Sequence, residues 1–130
     1  TLNDVYAGGG NARFDITGGT LVMNGSTTIP VNVNSGFLKG IGTVGNTSIT
    51  GGIIAPGNSI GTLNINGNFF QGAGSRYQVE LNSAGQSDLI RITGNATING
   101  GVLEVLAENG NYTIGQRWTI LTATGGITGR

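Results

Sequence analysis

The 130-residue chain carries six basic and six acidic residues, scattered along its length, so no electrostatic footprint for nucleic acid or an anionic membrane is present. It has no cysteine and no histidine, which excludes disulfides, thiol chemistry and imidazole ligands for zinc or copper. Its 26 glycines sit among 37% apolar residues and only two prolines, a mixture that suits short strands punctuated by turns and not a disordered linker. No apolar run is long enough to cross a bilayer as a helix. The chain opens at Thr1 with neither a basic n-region nor an apolar h-region and is expected to be a piece of a longer protein.

Apolar residues fall in pairs or alternate, and Gly, Asn or Thr interrupts them every few positions, which predicts an almost wholly β chain. Strands are expected at 13–17, 20–24, 29–34, 36–39, 43–44, 47–50, 52–54, 62–71, 76–81, 88–98, 102–106 and 118–123. Near the start, Gly8-Gly9-Gly10-Asn11-Ala12-Arg13 lacks the aspartate of a calcium-binding glycine repeat. Gly40-Ile41-Gly42-Thr43-Val44-Gly45 fits G-x-G-x-x-G formally, but a strand follows where a dinucleotide site needs a helix N-terminus. Pro56-Gly57-Asn58 is a turn, with Pro presetting φ and Ile60 and Leu63 expected to anchor it to the core. Further on, Arg76-Tyr77-Gln78-Val79-Glu80-Leu81 alternates, placing Tyr77, Val79 and Leu81 on a core face. Asp88, after Gly85-Gln86-Ser87, has no second carboxylate nearby in sequence and is expected to cap a turn. Asn-x-Ser/Thr triplets at Asn24, Asn46, Asn95 and Asn111 are expected by chance in an Asn- and Thr-rich chain; such residues at corners could instead form amide ladders between stacked layers.

An antiparallel sandwich or barrel and a stacked solenoid both suit many short strands. Three similar phrases favour the solenoid: Ile16-Thr17-Gly18-Gly19-Thr20-Leu21, Ile49-Thr50-Gly51-Gly52-Ile53-Ile54 and Ile98-Asn99-Gly100-Gly101-Val102-Leu103 each read as strand, glycine corner, strand. Their unequal spacing indicates an imperfect repeat. At about 20 to 25 residues per coil, five or six coils are expected, each adding about 4.8 Å. Tyr77, Tyr112 and Trp118 gather in the last third, and Phe69 and Phe70 precede them, which predicts a bulkier C-terminal end protecting the open edge of the stack.

Ala55-Pro56-Gly57-Asn58-Ser59-Ile60-Gly61-Thr62-Leu63, Gly67-Asn68-Phe69, Gly85-Gln86-Ser87-Asp88, Gly94-Asn95-Ala96, Gly100-Gly101-Val102-Leu103 and residues 120–129 together resemble the C-terminal passenger segment of bacterial autotransporters, over about residues 36–130. The resemblance implies an all-β fold, a right-handed parallel β-helix with a C-terminal β-hairpin or aromatic cap. It divides the chain into coils at 1–63 and a capping, autochaperone module at 64–130 continuous with them. It implies a non-catalytic role in folding and outer-membrane secretion. The expected folding nucleus is Pro56, Gly57, Asn58, Ile60, Leu63, Phe69, Tyr77, Leu81, Trp118 and Leu121. No catalytic residue, metal or cofactor is expected. The expected partners are the protein's own upstream coils and its own outer-membrane β-barrel. An adhesin fragment that binds host glycans or proteins, or self-associates, is the alternative. A polysaccharide lyase or glycosidase is disfavoured because grouped acids and bases are lacking in a chain only 9% charged.

Overall fold

The computed structural model describes residues 4–6, 13–57 and 60–129. Among them are fourteen strands and no helix: β1 Asp4–Tyr6, β2 Arg13–Val22, β3 Val31–Gly40, β4 Thr43–Val44, β5 Thr47–Ile49, β6 Ile53–Pro56, β7 Thr62–Ile65, β8 Phe69–Gln71, β9 Arg76–Leu81, β10 Leu89–Ile92, β11 Asn95–Ile98, β12 Val102–Ala107, β13 Leu121–Ala123 and β14 Gly126–Gly129. The glycine run at 8–12 and Asn58 lie outside the described residues.

Pairing is parallel throughout except where β1 meets β2 and at isolated bridges, and it runs in three columns. One joins the start of β2 and of β3 to β5, β8, β11 and β14. The second joins the ends of β2 and β3 to β6, β9 and β12. The third is β4, β7, β10 and β13. The chain is therefore a parallel β-helix with three faces, and a sandwich is excluded because each strand pairs with its counterpart one coil away.

Register explains why the strands form where they do. Leu21, Leu38, Ile54 and Tyr77 stack in one inward row, and Val44, Ile65, Ile92 and Ala123 in another. Phe69 is flanked along its row by the smaller Thr47 and Ala96, so a large ring fits without widening the coil. The resulting cluster of apolar side chains runs from Ile16 through Ile92 and Ala96 without a break. It passes through the boundary expected after residue 63, which falls inside β7.

The three glycine phrases occupy the same corner, between the first and second faces, in alternate coils, since Ile16, Val33, Ile49, Gln71 and Ile98 follow one another in register. Each interval between phrases spans two coils of unequal length, which accounts for the irregular spacing. At Gly18-Gly19 the positive φ values let β2 turn the corner while still paired to β3, so two expected strands merge into one. The converse occurs at 66–68 and 93–94, where Gly67 and Gly94 break two long expected strands into β7/β8 and β10/β11. Strand β14, rich in glycine, has little β-propensity of its own and is held by β11.

Coils stack closely enough at corners to restrict side chains. A methyl group on Gly42 would fall on the main-chain carbonyl of Gly25 in the coil before, whereas one on Gly25 would meet nothing. Gly42→Ala is expected to cost about 1–3 kcal/mol by forcing two coils apart, and Gly25→Ala to be neutral or mildly stabilising. Urea unfolding of the two variants checks the contrast.

Candidate functional site

The coils lengthen towards the C-terminus, and nearly all of the growth is at one corner, between the second and third faces. The connection there is two residues between β3 and β4, five between β6 and β7, seven between β9 and β10, and thirteen between β12 and β13. The other corners keep between two and four residues in these coils. Consequently the Pro56-Gly57 turn, the Gly85-Gln86-Ser87-Asp88 motif and the aromatic loop with Tyr112 and Trp118, far apart in sequence, lie one above the other.

They are joined by side chains that bond to backbone across coils. Asp88 is 1% exposed, and its Oδ1 accepts from Gly61 N–H and its Oδ2 from Glu80 N–H, both at 2.8 Å. It thus ties the turn after β6 to the end of β9. Leu81 and Ser87 form an antiparallel bridge, and Asn82 Oδ1 accepts the N–H groups of Ala84 and Gln86, so the intervening turn is self-supporting. From the longest loop, Trp118 Nε1–H donates to Asn82 O at 2.9 Å and Gln116 Nε2 to Ser83 O at 2.8 Å. In return Ser87 Oγ donates to Thr119 O at 3.1 Å. Tyr77 Oη donates to Ile120 O at 2.6 Å, joining the core of β9 to the strand that ends the loop. Tyr112 packs against Trp118 with ring centroids 5.8 Å apart.

The sequence-derived nucleus distributes as follows. Pro56, Gly57, Leu63, Phe69, Tyr77 and Leu81 are buried. Ile60, Trp118 and Leu121 are half-buried. Trp118 and Tyr112 brace the flank of the stacked corner and do not close the end of the helix: Leu103 and Val105 on β12 and Ile127 on β14 stay about half exposed. β13 and β14 pair in parallel with β10 and β11, and the antiparallel turn of this half is the one at Leu81–Ser87. The N–H groups of the turn before Asp88 go to Asn82, and Asp88 instead accepts from Glu80 on β9 and from Gly61 one coil away, a contact that sequence proximity could not reveal. The nearest carboxylate in space is likewise hidden, since Glu80 precedes it by eight residues and is brought back by the turn.

Electrostatics at Asp88 follow from this placement. Burial pushes its carboxyl up to about 6, the charge of Glu80 adding to the rise and the two main-chain N–H donors opposing it. Burial, with a smaller contribution from Asp88, likewise raises the Tyr77 hydroxyl far above the usual tyrosine range, so it remains a neutral donor to Ile120. Among the described residues no group of three acids could hold a metal ion.

No family model matches the chain. It is 39% identical over 123 residues to an extracellular serine protease of Serratia marcescens, a match covering 86% of this chain and 12% of that protein. A second extracellular serine protease of the same organism is 35% identical over 124 residues, with the same two shares. The adhesin BmaC autotransporter of Brucella suis biovar 1 is 36% identical over 89 residues, 64% of this chain and 3% of that protein. Parallel coils with stacked polar corners define a β-solenoid. With these relatives, the chain belongs to the autotransporter passengers, which are exported across the outer membrane. It spans 12% of the length of the first two relatives.

The folded chain holds the Asp88 proton more tightly than the unfolded chain, so this group's contribution to stability is greatest below pH ~3.9 and is lost as pH rises through about 6. Between pH 4 and 7 the wild-type chain is expected to lose about 2 kcal/mol relative to Asp88→Asn, which cannot titrate. Paired urea titrations at the two pH values measure the difference.

Proposed function

We infer that this segment is a non-catalytic folding module of the passenger. Its C-terminal coils form first, brace one another through the stacked corner and present a finished edge on which upstream coils add. The observation that carries this reading is the set of cross-coil bonds from Asp88, Tyr77 and Trp118, which join three successive coils over the segment where the corner is longest. Each such bond is worth about 0.5–1.5 kcal/mol, more where a charge accepts it. The earlier coils rest on shorter corners and, among the described residues, contribute fewer such ties.

In a quasi-one-dimensional stack each coil contacts its neighbours only, so folding started at the braced end propagates by adding one coil at a time. Outside the cell no nucleotide energy is present; free energy released on each addition opposes back-sliding of the emerging chain. The partners in this role are the protein's own upstream coils and its own outer-membrane β-barrel. The folding nucleus we assign is Leu63, Phe69, Tyr77 and Leu81, with Pro56, Gly57 and Ile60 at the turn and Trp118 and Leu121 on the brace. The relatives named as proteases share only a small part of their length with this chain.

The order of folding is tested by one chemical change made at two ends. Ile16 and Ile90 are both fully buried, and Ile90 stacks between Leu63 and Leu121. Each Ile→Val costs about 0.5–1.5 kcal/mol. Ile90→Val is expected to slow folding, and Ile16→Val to speed unfolding with little effect on folding, in stopped-flow denaturant jumps. The reverse assignment would refute a C-terminal nucleus. In the full parent protein, Trp118→Ala should lower surface display more than Ile16→Val does.

A further inference from the structure

The corner between the third and first faces carries a different device. Asn68 N–H donates to Asn46 Oδ1 at 2.8 Å, and Asn95 N–H donates to Asn68 Oδ1 at 2.9 Å. The ladder foreseen between side-chain amides is thus built from a side-chain oxygen and the main-chain N–H of the next coil. Space for it comes from the preceding glycines: a methyl on Gly67 or Gly94 would strike the Asn46 or Asn68 amide. Fixing each Oδ1 inward turns each Nδ2 group outward, and among the described residues the Nδ2 atoms of Asn46 and Asn68 have no partner. They form a row of oriented donors one coil apart, about 4.8 Å.

Beside this row lies a groove of about 430 Å³, which also includes Asn95, Ser48, Thr97 and the half-buried ring of Phe70. Phe70 stands in register between Ser48 and Thr97, whose short side chains leave a ring face clear. No charged side chain lines the groove. Its main-chain groups are consumed by pairing between coils, so an extended peptide would find no strand edge there.

The geometry points to a binding groove for an uncharged oligosaccharide. The C–H face of one sugar ring rests on Phe70, and hydroxyls of successive rings accept from the Nδ2 groups of Asn46 and Asn68 and exchange hydrogen bonds with Ser48 and Thr97. A neutral, hydroxyl-rich ligand matches a lining of amides and hydroxyls, whereas an anionic polymer would find no cation. This reading is independent of the folding role.

The test is titration of the complete 130-residue chain with neutral hexasaccharides of glucose, mannose and N-acetylglucosamine, followed by NMR of the side-chain amides. Saturable shifts of the Asn46 and Asn68 NH₂ signals with at least one of them are expected. Asn68→Asp keeps the oxygen that accepts from Asn95 and removes the outward donor; it should leave the circular dichroism spectrum unchanged and weaken binding about tenfold. Phe70→Ala should weaken it by at least about as much. Absence of saturable shifts with all three sugars, binding that survives both substitutions, or preference for a sulfated polysaccharide or a peptide would overturn the proposal.

Discussion

Everything in this chain depends on the parallel hydrogen-bond ladder that holds each coil in register with the next. A parallel strand pair cannot be closed by a tight turn, so a full circuit of the three faces separates partners. Once that circuit is made, every inward side chain is forced to stand on the residue one coil before it. Rows such as Leu21, Leu38, Ile54 and Tyr77 are the outcome, and the core is a bundle of such rows. Because the strand backbone is spent on this ladder, the main-chain groups left for other purposes are at the corners.

The three corners use that freedom differently. The corner between the first and second faces is made by small residues and stays short. The corner between the third and first is equally short and carries the asparagine ladder, where one amide satisfies a main-chain donor below and offers its own donors outside. The corner between the second and third grows from coil to coil and holds the buried carboxylate, the tyrosine hydroxyl and the indole that tie three coils together. The ties between coils and the outward amides are therefore set on separate edges of the same prism.

Much of this architecture was readable in the sequence. Short apolar runs with glycine punctuation led to stacked coils, and the alternation of Arg76–Leu81 led to the correct buried face. The phrases at Gly18, Gly51 and Gly100 were recognisable as corners, although their intervals made sense only once coil lengths were known. What sequence could not supply was the pairing of residues separated by a whole coil. Asp88 and Gly61 are one such pair, Trp118 and Asn82 another, and nothing in either segment's composition reveals its partner. Strand β14 shows the same limit in reverse: its pairing with β11 outweighs a glycine-rich composition that argues against a strand.

The stepwise lengthening of one corner also makes the coils distinguishable. In a solenoid of identical layers, a nascent coil that skipped a rung would regain almost every hydrogen bond and apolar contact, and the error would persist. Here the connections of two, five, seven and thirteen residues permit only one order of nesting, since Asp88 finds the Gly61 amide and Trp118 the Asn82 carbonyl from one rung alone. A layer shifted along the axis would bury an unpaired carboxylate and strand an indole, so misalignment is penalised at the moment it forms. The graded corner therefore works as a key cut along the spine of the protein, setting the alignment of a stack whose repeating core would otherwise accept several.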